Sequence, residues 1–261
     1  MLKVRVIPVL FLMNGHIVRS EGFNEFKIIG NPISELARYS QWRADELVYI
    51  DITRDSEYLV HRTDHKDRIA ADLVSILRQI ADHASMPVTF GGRVFSLKQA
   101  DALIANGADK IVINTGAYRD PSLIREISRK YGSQAVVVGI DLRRTEGKIS
   151  MVIEQGREQV EDDPVDYAKR MEALGAGELF VNSVDRDGSA QGYDVDGIRA
   201  ISDTVGIPVV ACGGVGRFEH FSAAIRDGHA SAVAAGNIFH FTENAYPNAK
   251  RTLKRQGINV R

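Results

Sequence analysis

Short apolar runs alternate with longer amphipathic stretches from one end of this chain to the other, and no other feature restricts its fold as strongly. An apolar run of about four to eight residues bounded by turn residues reads as a buried strand, and a longer stretch with helical periodicity reads as a surface helix. Repeated alternation of the two predicts parallel strands joined by crossover helices. Strands are expected at 4–10, 46–51, 87–90, 110–114, 135–141, 178–183, 207–212 and 231–235. Helices are expected at 32–43, 66–84, 96–106, 120–131, 163–175, 194–205, 217–228 and 244–256. Asn31 before Pro32 and Asp120 before Pro121 fit a helix N-cap followed by proline at the first helical position. Gly107, Gly132, Gly175 and Gly228 follow four of the helices, where a left-handed residue closes the last turn. Eight such units within 261 residues, with no Pro- or Ser-rich linker, predict one α/β domain over 1–261, a single (β/α)8 TIM barrel. A doubly wound open sheet is the structural alternative.

An internal echo favours the barrel. MPVTFGG followed by ANGADKIVINTGA returns as IPVVACGG followed by RDGHASAVAAGNI, at a constant offset that matches Pro87 with Pro208, Gly92 with Gly213, Gly107 with Gly228 and Thr115 with Gly236. Two half-barrels related by an approximate two-fold would produce such a pattern. Two segments interrupt it: the polar connection 54–67, and 147–160, which reads as a hairpin turning at Gln155–Gly156. His61 and His65 lie one helical turn apart in the first, but no third ligand has suitable spacing, so no metal site is expected.

Composition narrows the partners. With 44% hydrophobic and 26% charged residues the chain can bury a sizeable core, and a net charge of −1 without long basic runs argues against nucleic acid and membrane surfaces. Cys212 is the single cysteine, so an intrachain disulfide is impossible and a reducing, cytoplasmic location is expected. The N-terminal run MLKVRVIPVLFLMNG lacks a small-residue cleavage pattern and reads as a core strand. No segment approaches the ~18 apolar residues of a membrane helix.

Barrel enzymes carry their chemistry at the C-terminal ends of the strands. Glycine-rich turns fall there after the third and seventh strands, GGRV and CGGVGR, where backbone N–H groups can approach a phosphate. Gly213, Gly214, Ala235 and Gly236 would form one phosphate site; by the echo, Gly92, Arg93, Asn114 and Thr115 would form another. Two such sites across one mouth imply a long substrate with a phosphate at each end. The alternative is that the glycines only make tight turns. Carboxylates also end strands: Asp51, Asp141, and the pair Asp185 and Asp187. Asp141 is the foremost catalytic candidate as an acid or base, whereas Asp51 and Asp187 are candidate substrate contacts. At the opposite ends, Arg5, Glu46, Lys110 and Glu178 stand at strand starts, where inward side chains would meet in a salt-bridge ring; outward, they would be solvated flanking charges.

The motifs DELVYIDIT, GADKIVINTGA, GSQAVVVGIDLRR, GAGELFVNSVDRDGSAQGYD, ACGGVG and NIFHF, with the terminal GINVR, closely resemble the cyclase subunit of imidazole glycerol phosphate synthase over essentially the whole chain. The resemblance implies a lyase barrel that needs no cofactor. A glutaminase subunit docks at its N-terminal face, and ammonia crosses to a bisphosphorylated ribulosyl substrate. It places the family's ammonia gate on Arg5, Glu46, Lys110 and Glu178, one catalytic aspartate on Asp141, and a substrate contact on Asp51. The family's first-strand aspartate is Phe11 here, its first-loop lysine is Arg19, the third glycine of its first phosphate loop is Arg93, and the connection after Asp51 is longer. A phenyl ring cannot exchange protons. The changes lie on the substrate face, which suggests a paralogue that keeps ammonia delivery and has changed its acceptor. Such copies resemble proteins linked to amidation of surface-polysaccharide sugars, lipopolysaccharide included, beside a separate sugar amidotransferase. The expected functions are, in order, an ammonia-conducting synthase subunit, a histidine-pathway cyclase, and another phosphate-binding barrel, either an isomerase or a silent scaffold.

Overall fold

The structure is a computed structural model and describes residues 3–54 and 73–261. The polar connection 54–67, with His61 and His65, and the start of the helix expected at 66–84 fall almost wholly outside the described residues. In chain order the elements are β1 Arg5–Met13, β2 His16–Glu21, β3 Glu25–Gly30, α1 Pro32–Gln41, β4 Leu47–Asp51, α2 Leu73–His83, β5 Val88–Gly91, α3 Leu97–Ala105, β6 Lys110–Ile113, α4 Thr115–Arg119, α5 Ser122–Tyr131 and β7 Val136–Thr145. They continue with β8 Lys148–Ile153, β9 Glu158–Val160, α6 Pro164–Leu174, β10 Glu178–Ser183, α7 Val195–Ser202, β11 Val209–Cys212, α8 Glu219–Arg226, β12 Ala232–Ala235, α9 Asn237–Phe241 and α10 Ala245–Arg255.

Strands β1, β4, β5, β6, β7, β10, β11 and β12 pair in parallel in that order. β12 then pairs with β1, Arg5 opposite Ala232 and Pro8 opposite Ala235, so the sheet closes as a (β/α)8 barrel and the open-sheet alternative falls. Closure leaves no unpaired barrel edge, which is why these strands tolerate near-continuous apolar sequence. Alternation sorts the side chains. Along β1, Val6, Leu10 and Leu12 pack outward against the helices, whereas Ile7, Val9 and Phe11 join Val48, Val112, Val137, Phe180 and Val210 inside. Each fully buried aliphatic side chain of these layers contributes about 1.5–3 kcal/mol.

Local signals account for most helix ends. Asn31 Oδ1 accepts the Ile33 N–H at 2.8 Å ahead of Pro32. Asp163 Oδ1 likewise accepts from Val165 and Asp166 at 2.9 and 3.1 Å ahead of Pro164. Asp120 caps Ser122 N at 3.1 Å from one residue further out than expected, because the short α4 ends at Arg119 just before it. Gly107, Gly132 and Gly175 have positive φ at the helix ends, but Gly228 does not; the neighbouring His229 takes that conformation, φ 55°.

That exchange corrects the echo. β5 and β11 hold the expected offset, but beyond α8 the match moves by one residue: Gly107 corresponds to His229, and the unusual backbone of Gly236 (φ −103°, ψ −81°) repeats that of Asn114 (φ −110°, ψ −92°) rather than of Thr115. Another difference is a hairpin at the first strand's end. β1 runs on to Met13, pairs with β2, and β2 pairs with β3, so residues 16–30 form a third insertion. The expected hairpin at 147–160 is present as β8 and β9. Gln155 and Gly156 lie in its turn, and β7 reaches Thr145 to join it through a second turn with positive φ at Glu146 and Gly147.

Candidate active site

The strand alternation that puts Ile7 and Val9 inside also points Arg5 inward at the bottom of the barrel, and Glu46, Lys110 and Glu178 meet it there. Arg5 Nη1 lies 2.6 Å from Glu46 Oε2, and its other terminal nitrogen bonds Glu178. Lys110 Nζ completes the circuit at 3.0 Å from Glu46 and 2.9 Å from Glu178. Each cation therefore bridges both carboxylates, and Thr89 Oγ1 donates a further bond to Glu46 at 2.7 Å. The glutamate side chains are 4% and 8% exposed, so the four residues form a closed ring rather than separate solvated charges. Burial alone would raise the Glu46 pKa, but Lys110, Arg5 and Thr89 outweigh it and hold it below the usual carboxylate value. Burial would lower that of Arg5, and the two glutamates reverse this upward.

Among the described residues, the other end opens into two clefts. The first, of about 780 Å³, is lined by Asp51, Gly92, Arg93, Asn114, Thr115, Asp141 and Asn182 among others. The second, of about 880 Å³, is lined by Arg19, Asp187, Gly213, Gly214, Ala235 and Gly236 among others. The two sets of residues expected to bind phosphate thus gather as two separate groups, each in its own cleft.

Asp141 leaves β7 at the floor of the first cleft. Asn182 Nδ2, from the neighbouring β10, donates to its Oδ1 at 3.1 Å, and the Asn114 side chain adds a second bond. Burial nevertheless pushes its pKa up to about 6, because the two amides and Arg143 do not fully replace lost water and Asp187 repels the charge. Asp51 is fixed beside it: Oδ1 accepts from Thr53 N at 3.0 Å and Thr53 Oγ1 at 2.5 Å, and Oδ2 lies 3.9 Å from Arg93 Nη1. Gly92 must be glycine, since its φ is +94° and a Cβ would sit 2.0 Å from the Asp51 carbonyl oxygen. Arg93 follows in a left-handed conformation, φ 59°, where its counterpart Gly214 has φ 94°. A non-glycine residue there stores of the order of 1 kcal/mol of strain, and in return brings a guanidinium to the cleft. The Thr115 hydroxyl accepts the Glu154 N–H at 3.0 Å, tying this cleft to the β8–β9 turn.

In the second cleft, Gly213 and Gly214 both have positive φ and α9 begins after Gly236. Arg19, on β2, pairs with Glu21 and lies 5.4 Å over the Phe241 ring. Burial pushes the Asp187 pKa up to about 6, against the opposing influence of the nearby Ser20 hydroxyl and Phe23 N–H, and its Oδ2 has no partner among the described residues. Phe11 ends the inner layer of β1 and packs edge-on against Phe23, centroids 5.3 Å apart at 77°.

Three contributors escape the sequence reading. Asn182 was legible in part, since on β10 it shares the inward parity of Glu178 and Phe180. Phe23 and Phe180 carry no such signal of a place at the mouth. Among the described residues no cluster of three His, Cys, Asp or Glu side chains is set to hold a metal, and no helix is long and apolar enough to cross a membrane. The histidine biosynthesis protein family matches residues 5–245, which spans every barrel strand, the ring and both clefts. A closed parallel barrel, glycine turns at its C-terminal mouth and this match agree: the chain belongs to the histidine biosynthesis protein family of barrel synthases and isomerases.

Proposed function

We propose that this chain is a synthase subunit that receives ammonia from a glutaminase docked at the bottom of the barrel and delivers it to a phosphorylated acceptor at the mouth. The observation that carries this reading is the closed ring of Arg5, Glu46, Lys110 and Glu178 beneath an apolar barrel interior. A ring whose cations each bridge two carboxylates can open by moving one side chain, and its charges would admit ammonia while resisting bulk ions. The interior above is lined by Ile7, Val9, Val48, Val137 and Val210, a setting that favours neutral ammonia over ammonium. The same reading takes the glycine turns and Arg93 as anion donors and Asp141 as a binding or proton-holding group. Phe11 in place of a carboxylate supports an acceptor other than the family's ribulosyl bisphosphate, and we place it among sugars amidated for surface polysaccharides, with a sugar amidotransferase as third partner.

The direct test is glutaminase coupling. A cognate glutaminase encoded beside this chain should bind it and hydrolyse glutamine faster in its presence, and Arg5→Ala or Lys110→Ala should reduce that stimulation at least about tenfold while leaving the mouth intact. Absence of any complex with a glutaminase would end the reading. A histidine-pathway cyclase is the second reading, favoured by Asp141, which with a pKa of about 6 can hold or release a proton near neutrality. Turnover of the ribulosyl bisphosphate with ammonium salt by the unmodified chain would establish it. Turnover gained only in Phe11→Asp would favour divergence.

A further inference from the structure

The two clefts at the mouth have one lining residue in common, Phe11, and it stands between them. Its ring meets Phe23 edge to face, and the two side chains are buried, with Phe11 7% and Phe23 8% exposed. Phe23 is carried by the turn between β2 and β3, and both sides hold that turn in place. On the second-cleft side the adjoining Gly22 N–H donates to the Asp187 carbonyl at 2.9 Å, and on the other Arg54 Nη2 reaches the Phe23 carbonyl at 3.4 Å. Asn237 Nδ2 anchors the hairpin further back, at 3.0 Å from the Ser20 carbonyl.

We infer that Phe11 and Phe23 form a partition that divides the mouth, so that each cleft takes its own anionic ligand, phosphorylated at one end only, and a ligand with phosphates at both ends cannot bridge them. This rests on the reading of the glycine turns and Arg93 as phosphate donors, and it sharpens the acceptor proposed above to a compound with its phosphate at a single end. The clefts are also unequal. Val112, Gly139 and Phe180 of the barrel interior line the first, together with Asp141, so a small molecule rising through the barrel arrives beside Arg93. Among the described residues the second meets the interior only at Phe11 and Cys212, which makes it a separate anion site rather than the reaction chamber.

Linking two phosphates that can reach both sites at once raises affinity by about 100-fold or more over one phosphate, whereas linking two that cannot adds only a statistical factor of about two. The test titrates the intact chain with inorganic phosphate, an alkyl monophosphate and a series of linear alkanediol bisphosphates of increasing length, read by calorimetry and phosphorus NMR. Two independent phosphates per chain and no bisphosphate more than about twofold tighter than the monophosphate are expected. Phe11→Ala should create a length-dependent gain of at least about tenfold. Phe23→Ala, which opens the wall from the hairpin side and spares the barrel, should do the same if Phe11→Ala fails to fold. A tight, length-dependent bisphosphate complex of the unmodified chain would overturn the partition while leaving the phosphate reading standing. Binding of no phosphate species would overturn both, and unchanged bisphosphate affinity in both variants would remove the aromatic pair as its cause.

Discussion

The two ends of the barrel hold buried carboxylates in opposite states. At the bottom, Glu46 is surrounded by Lys110, Arg5 and Thr89, and its pKa lies below the ordinary value although burial alone would raise it. At the mouth, Asp141 and Asp187 meet mainly neutral donors, and burial pushes both up to about 6. The residue class is the same, although Asp141 and Asp187 are less completely enclosed than Glu46. What differs is whether a cation lies within bonding distance, and this separates a structural ring that must stay charged from groups poised to bind anions or exchange protons near neutrality.

The largest effect that would test this contrast is removal of one ring cation. Arg5→Met leaves Glu178 and Glu46 to share a single lysine, and we expect a loss of about 3 kcal/mol in urea unfolding at pH 7, because an uncompensated buried charge costs more than the pair contributed. A loss under about 1 kcal/mol would mean that the ring is solvated and the contrast false. Asp141→Asn is predicted to act in the reverse direction. A carboxyl whose folded pKa is raised from 3.8 to about 6 contributes stability below about pH 4 that is lost as the pH rises through 6. The asparagine variant should therefore be more stable than the parent by roughly 3 kcal/mol at pH 8, with the difference mostly gone by about pH 4 and vanishing below it. A pH-independent difference would show that Asp141 is not the titrating group.

The smallest effect sharpens the account of the ring. Thr89→Val removes the hydroxyl that donates to Glu46 at 2.7 Å and should cost about 1.5 kcal/mol near neutral pH. Because the Glu46 pKa is lowered, its contribution is full above about 4.5 and disappears as the pH falls through the depressed folded-state value. The deficit of Thr89→Val should accordingly shrink as the pH falls below about 4.5, whereas the advantage of Asp141→Asn should grow as the pH rises from about 4 to 6 and stay constant above that. Two variants whose stability differences followed the same pH course would collapse the distinction between the two ends.

Much of this architecture is legible in order of residues alone. The apolar runs and helical patterns locate eight strands and their crossovers, and Arg5, Lys110 and Glu178 can be assigned to one end because each begins a strand. The β2–β3 hairpin is not read this way, since Arg19, Glu21, Glu25 and Lys27 interrupt its short strands and leave no sustained apolar run. The short helices α4 and α9 escape because five residues carry too little periodicity. The echo slips by one residue beyond α8 because matched glycines suggested an alignment that the backbone assigns to His229 and Gly236 instead.

Sequence by itself determined the eight strand–helix units, the identity of the charges at the barrel's foot and the glycine turns at its mouth, since these follow from patterns local to a few residues and repeated along the chain. Tertiary structure decided which of those groups meet. The pairing of β12 with β1 sets the ring's cations between its glutamates, and the folded-back hairpin brings Phe23 onto Phe11 to divide the mouth. It also decided the protonation of Asp141, because a pKa depends on the water and charges that surround a carboxylate, and these come from strands far apart in the chain.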